Sequence, residues 1–159
     1  AMMRVVAAKS GRVELMIYGQ GKPASDLNWP CPVHWLGVVR DDRVLALAYS
    51  AADLMVVPSR QDNLPNTAIE PQACGTPVVA FDIGGLPDIV AHRETGWLAK
   101  AFDTEDLAAG MLWVLGDRNR WHELSQAARA RAVERFSPQV VAGQYAQIYE
   151  RVIRQAKDK

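Results

Sequence analysis

Asp62 and Glu70 stand eight residues apart, at the two ends of the run Asn63-Leu64-Pro65-Asn66-Thr67-Ala68-Ile69. An ionised carboxylate only accepts hydrogen bonds, so a pair at this spacing suits vicinal hydroxyls such as those of a sugar or a ribose. A helix is expected over residues 65–73, and the N–H groups of a first helical turn attract a diphosphate. Taken singly, either carboxylate could be merely solvated, and Asp62 could cap the helix. Gly19-Gln20-Gly21, Gly37 and Asp82-Ile83-Gly84-Gly85 each follow a short apolar run. Glycine lets backbone approach a ligand and present N–H groups, although it also simply closes tight turns.

The elements that must position these residues read as strands alternating with helices. Strand candidates are residues 13–18, 33–36, 54–57 and 78–81, with 96–99 as a short edge strand. Their near-continuous apolar runs suit strands buried on both faces of a parallel sheet. Asp41 or Asp42 caps a helix through Ala52, with Val44, Leu45, Ala48 and Ala51 on one face. Leu86 to Ala91 is a further short helix. Asp103 and Thr104 open a helix whose Leu107, Met111 and Leu115 face inward and which Gly116 ends. Trp121, Leu124, Ala128 and Ala132 mark the next, and Ser137-Pro138 starts a last one bearing Val141, Tyr145, Ile148 and Val152. Strand–helix alternation followed by helices specifies an α/β domain with a parallel sheet. In such a sheet the ligand sits beyond the carboxyl ends of the strands, which places Ser59 and the glycine turns at the site.

Competing motifs fail on their surroundings. Gly19-Gln20-Gly21-Lys22-Pro23-Ala24 fits G-x-G-x-x-A, but Pro23, Pro30 and Pro32, with turn-forming Ser25, Asp26 and Asn28, exclude the long helix that a dinucleotide site needs. No Gly-Lys-Ser/Thr occurs, Ser59 lacks a nucleophile elbow, and His34, His92 and His122 show no metal-ligand spacing.

Composition sets the outer bounds. The 159 residues carry 18 Lys+Arg and 18 Asp+Glu, and 49% are hydrophobic. Such a length buries roughly 70% of its unfolded surface, enough for one core. Neutrality argues against nucleic acid as a partner, because phosphate binding wants surplus cations. Charge is nonetheless uneven, with 9 basic and 13 acidic residues over 1–116 against 9 and 5 over 117–159. One domain is expected, with a core over 13–116 and C-terminal helices over 117–159. The basic face of Arg135, Arg151, Arg154 and Lys157 reads as solvated surface, with attraction to anionic lipid as the lesser alternative. Cys31 and Cys74 read as buried free thiols of a cytoplasmic protein. Ala1 ahead of two methionines reads as an expression-vector remainder.

Several stretches in order carry a resemblance. Ala52 to Ser59, Asp62 to Glu70, Ala73-Cys74-Gly75-Thr76-Pro77-Val78-Val79, Gly84 to Val90 and Thr95-Gly96-Trp97-Leu98 together resemble the C-terminal, donor-binding domain of family 4 retaining GT-B glycosyltransferases, over about Val13 to Leu115. The resemblance implies a Rossmann-like parallel sheet with flanking helices. It implies transfer of a sugar from a UDP- or GDP-sugar to an acceptor, with no metal and no cofactor. Glu70 matches the family position that contacts the ribose hydroxyls, and Asp62 the one that contacts the donor sugar. Asn66 and Thr67 match the amides that bind the diphosphate, and Gly19-Gln20-Gly21 matches the glycine turn after the family's second strand. Leu36-Gly37-Val38 matches the nucleobase region.

The departures are specific. Asp62 is one methylene shorter than the family Glu, about 1.5 Å less reach. Pro65 replaces a glycine and supplies no N–H, and Pro71 directs a kink beside Glu70. Met2 to Gly11 matches the end of the helix after the family domain's first strand. That central strand, with its phosphate-neutralising Arg and Lys, and the N-terminal acceptor domain are therefore expected to lie outside these residues. The sheet then either closes up or takes a strand from another copy. Asn63-Leu64-Pro65-Asn66-Thr67 resembles a subgroup linked to bacterial surface polysaccharide synthesis. A cytoplasmic protein is expected, with peripheral contact at the inner membrane face as the lesser alternative. The alternatives are a non-catalytic nucleotide-sugar-binding module and a nucleotide-sugar epimerase.

Overall fold

A computed structural model describes residues 2–9, 13–19, 21–22 and 28–157. Ala1, Gly11, Gln20 and Pro23 to Asp26 of the sequence reading lie outside the described residues.

The strands are β1 (Leu15–Tyr18), β2 (Val33–Gly37), β3 (Met55–Val57), β4 (Val78–Phe81) and β5 (Gly96–Ala99). The helices are α1 (Met2–Ala8), α2 (Asp42–Ala51), α3 (Asn66–Ala73), α4 (Leu86–Ile89), α5 (Thr104–Leu115), α6 (Arg118–Phe136) and α7 (Pro138–Lys157). All strand pairing is parallel, in the order β3-β4-β5, with β1-β2 as a separate two-stranded sheet. The α/β architecture with parallel sheets and flanking helices is thus present.

Alternation along β4 builds the core. Val79 and Phe81 point to one face, where Val5 of α1, Leu107, Ala108, Met111 and Val114 of α5, and Leu124 of α6 cover them. Val78 and Ala80 point to the other, under Ala68 of α3 with Leu86 and Ile89 of α4. Every residue of β4 is buried, as a strand covered on both faces should be. Strand β5 lies against β4 through a glycine, since a β-carbon on Gly96 would stand 1.9 Å from the Val78 carbonyl oxygen.

Other expectations require correction. Strand β2 alternates, with His34 and Leu36 exposed, because only one of its faces is covered. The inward face of α2 is Leu45, Ala48 and Tyr49, whereas Val44 and Ala51 are exposed. Among the described residues β1 and β3 do not pair, so the sheet does not close up. A cavity of about 2040 Å³ is lined by Leu15 and Ile17 of β1, Met55 and Val57 of β3, and Leu107 and Met111 of α5. Helix α3 runs through the buried Pro71 to Ala73. Cys31 and Cys74 are free and half-buried rather than fully buried.

Helix α6 ties the C-terminal segment to the sheet. Asp117 caps it by accepting from the Arg120 N–H. Arg129 donates to the Ala73 carbonyl at the end of α3, at 2.7 Å. Arg131 donates to Ile89 and Asp88 at the end of α4, at 2.8 and 2.9 Å, and Arg135 also reaches Asp88, at 3.3 Å. Cations at helix C-termini satisfy the last carbonyls and favour the dipole. Arg135 is therefore a helix cap and not simply solvated. Helix α7 leaves Tyr145, Ile148, Tyr149, Val152 and Ile153 exposed. Among the described residues no helix is long and apolar enough to cross a membrane.

Candidate functional site

The parallel strands deliver their following loops to a common rim. Strand β3 ends at Val57, and residues 58–65 lead into α3. That loop is held by the glycines after β4. A β-carbon on Gly84 would lie 1.9 Å from the Asp62 carbonyl oxygen, and one on Gly85 only 1.6 Å from that of Asn63. The Gly85 N–H also donates to the Asp62 carbonyl. The two glycines are thus what lets these loops touch backbone to backbone.

The first turn of α3 is open. Its N-cap is Pro65, which has no capping side chain, so Asp62 does not cap this helix. The Pro65 carbonyl accepts from the Ala68 and Ile69 N–H groups, at 2.9 and 3.3 Å. The Asn66 and Thr67 N–H groups precede those intrahelical bonds and remain for solvent or an anion. Both residues are exposed.

Glu70 is the most constrained of the expected residues. Tyr49 of α2 donates to its Oε2 at 2.9 Å, and the Tyr49 and Tyr18 hydroxyls lie 3.0 Å apart. The two rings meet edge to face, with centroids 5.6 Å apart. Helix α2 holds Tyr49 in place through the Asp41 cap at its start and through Thr76, whose hydroxyl donates to the Tyr49 carbonyl at 2.7 Å. Burial, then the bonds to Tyr18 and Glu70, push the Tyr49 phenol far above the usual tyrosine range. Burial raises Tyr18 as well, and the nearby Glu70 charge adds to it. This chain of contacts joins the end of β1 to α3 across the break between the sheets.

The remaining expected residues distribute as follows. Gly19 and Gly37 adopt positive φ of 92° and 64°, and the Gly19 N–H donates to the Gly37 carbonyl at 2.8 Å, closing the ends of β1 and β2 together. Gly21 is exposed, with nothing within 4 Å of a β-carbon built on it. Gly19, Ser59 and Thr67 line the same cavity as Tyr18 and Tyr49. Asp62 is half-buried, with its main chain against Gly84 and Gly85. Sequence reasoning missed Tyr18, Tyr49 and Arg60. The Arg60 guanidinium lies 5.2 Å from the Phe102 ring centroid, on the loop that carries Ser59. The i, i+4 relation of Leu45 and Tyr49 was the available signal for an inward Tyr49. Among the described residues no cluster of three His, Cys, Asp or Glu could hold a metal ion.

The family model described as "Glycosyl transferases group 1" matches residues 1–117. A D-inositol 3-phosphate glycosyltransferase from Segniliparus rotundus is 36% identical over 152 residues, 89% of this chain and 33% of its own length. An N-acetyl-alpha-D-glucosaminyl L-malate synthase from Bacillus anthracis is 29% identical over 126 residues, 74% of this chain and 33% of its own length. The chain therefore spans about a third of the length of these curated relatives. Sucrose-phosphate synthase from Thermosynechococcus elongatus matches with a TM-score of 0.78 at 29% identity, covering 97% of this chain and 43% of that one. Anabaena HepE in complex with UDP-glucose matches with a TM-score of 0.68 at 26% identity, covering 78% and 34%.

Proposed function

The chain belongs to the group 1 glycosyl transferases, and on that premise we propose that it is the nucleotide-sugar-binding domain of a retaining glycosyltransferase of family 4. The donor is a UDP- or GDP-sugar, and the acceptor site belongs to a further domain of the full-length enzyme. The observation that carries this reading is the pairing of a fixed Glu70 with the uncapped first turn of α3 at the strand-end rim. A relative solved with UDP-glucose supports the donor class.

Each group has a task under this reading. The Asn66 and Thr67 N–H groups hold the donor diphosphate. Glu70 accepts from the ribose hydroxyls, and Asp62 accepts from a hydroxyl of the donor sugar. Gly19, Gly21, Gly37 and Ser59 form the wall against which the nucleotide lies. In transfer the bond from the anomeric carbon to the diphosphate oxygen breaks, a bond to the oxygen of an acceptor hydroxyl forms, and that hydroxyl's proton passes to the leaving diphosphate. Charge accumulates on the leaving diphosphate, where fixed amides stabilise it without reorganising. The acceptor is a precursor of bacterial surface polysaccharide, and the 159 residues alone bind nucleotide weakly and transfer no sugar.

Incubating the full-length protein with a panel of UDP- and GDP-sugars tests this. Transfer with retention from one donor is expected, and Asp62→Ala should abolish most of it. Near-normal transfer by Asp62→Ala would remove Asp62 from the machinery. Turnover by the 159-residue chain would contradict the division of labour.

A further inference from the structure

We infer that Tyr49 and Tyr18 are positioning residues, which fix the Glu70 carboxylate so that it can discriminate a ribose by its vicinal hydroxyls. The inference rests on the reading of Glu70 as the ribose contact. It begins from a count of protons. An ionised carboxylate has none to give, so the hydrogen between Tyr49 and Glu70 comes from the Tyr49 hydroxyl. A phenol carries one hydrogen. With that one committed to Glu70 at 2.9 Å, the 3.0 Å contact between the hydroxyls must be a donation from Tyr18 to Tyr49. The chain therefore runs one way, from Tyr18 through Tyr49 to Glu70 Oε2.

The polarity has a consequence for the ligand. Each hydroxyl in the chain has its hydrogen assigned, so neither competes for the ribose as a donor. Oε2 is taken, and among the described residues Oε1 has no protein partner. The terminal torsion of a glutamate is broad and nearly two-fold, so an unrestrained carboxylate would sample many planes. Anchoring one oxygen selects one plane before the ligand arrives, which lowers the ordering cost of binding. The anchor is itself rigid. Tyr49 is buried, its ring meets Tyr18 edge to face, and its carbonyl accepts from Thr76.

The test separates positioning from bulk. Affinities of the full-length protein would be measured for whichever of UDP and GDP binds more tightly, and for its 2′,3′-dideoxy counterpart. In the unmodified protein the dideoxy nucleotide should bind at least about tenfold more weakly, as expected for hydrogen bonds to a charged group. In Tyr49→Phe that ratio should collapse to about threefold or less, with the dideoxy affinity unchanged. Tyr18→Phe removes only the outer hydroxyl and should narrow the ratio part of the way. It also carries the test if Tyr49→Phe fails to fold. An unchanged ratio in the folded variants, even with both nucleotides weakened equally, would overturn the positioning role. A ratio of one in the unmodified protein, or no binding of either nucleotide, would instead overturn the ribose reading of Glu70 and this inference with it.

Discussion

Gly85 and Asn63 meet backbone to backbone, so closely that a β-carbon on Gly85 would lie 1.6 Å from the Asn63 carbonyl oxygen. No side-chain adjustment relieves a collision with main chain. The loop carrying Asp62 and the start of α3 is therefore shaped by a residue twenty-two positions away.

Gly85→Ala should displace residues 62–64 and weaken nucleotide-sugar binding about tenfold or more, with a stability loss of about 1–3 kcal/mol. Calorimetric titration and thermal melts measure the two effects. Gly21→Ala is the control for stability, since nothing lies within 4 Å of its built β-carbon, and its melting temperature should not move. Unchanged affinity in Gly85→Ala would mean that the loop contact does not shape the site.

Much of this frame was legible in the sequence. The apolar runs at 78–81 and 96–99 became β4 and β5 with the expected bounds, and Asp103 caps α5 as its place before Thr104 suggested. Those features are local, set by side-chain period and capping chemistry. Tyr49 was not legible as a site residue. Its role depends on Tyr18 and Glu70, 31 and 21 residues away in sequence, and no local rule brings them together. The same holds for Arg135, whose partner at Asp88 is 47 residues distant. Asp62 as a helix cap was a sound local alternative, but the chain enters α3 through Pro65.

Arg131 couples α6 to the carbonyl end of α4 through two charge-assisted bonds. Arg131→Ala should cost about 2 kcal/mol, a fall of roughly 4–8 °C in melting temperature for a chain of this size. A variant that melts with the parent protein would reduce this contact to surface decoration.

Alkaline pH should act through the tyrosine chain. Tyr18 and Tyr49 are both raised above their ordinary value of 10.0. A raised folded value means that the native state keeps a proton which the unfolded state releases. Stability from this source is complete below pH 10 and falls as pH rises beyond it. Urea midpoints at pH 8 and pH 11 would measure the fall, and Tyr49→Phe should show a smaller one. An identical fall in the variant would contradict the link to Tyr49.

Backbone amide NMR of the chain during titration with UDP and GDP tests nucleotide binding at the Glu70 rim most directly. Saturable shifts are expected at Gly19, Asn66 and Thr67 with at least one of the two nucleotides, and Glu70→Ala should suppress them. Silent amides at these positions, or shifts that persist unaltered in Glu70→Ala, would contradict it.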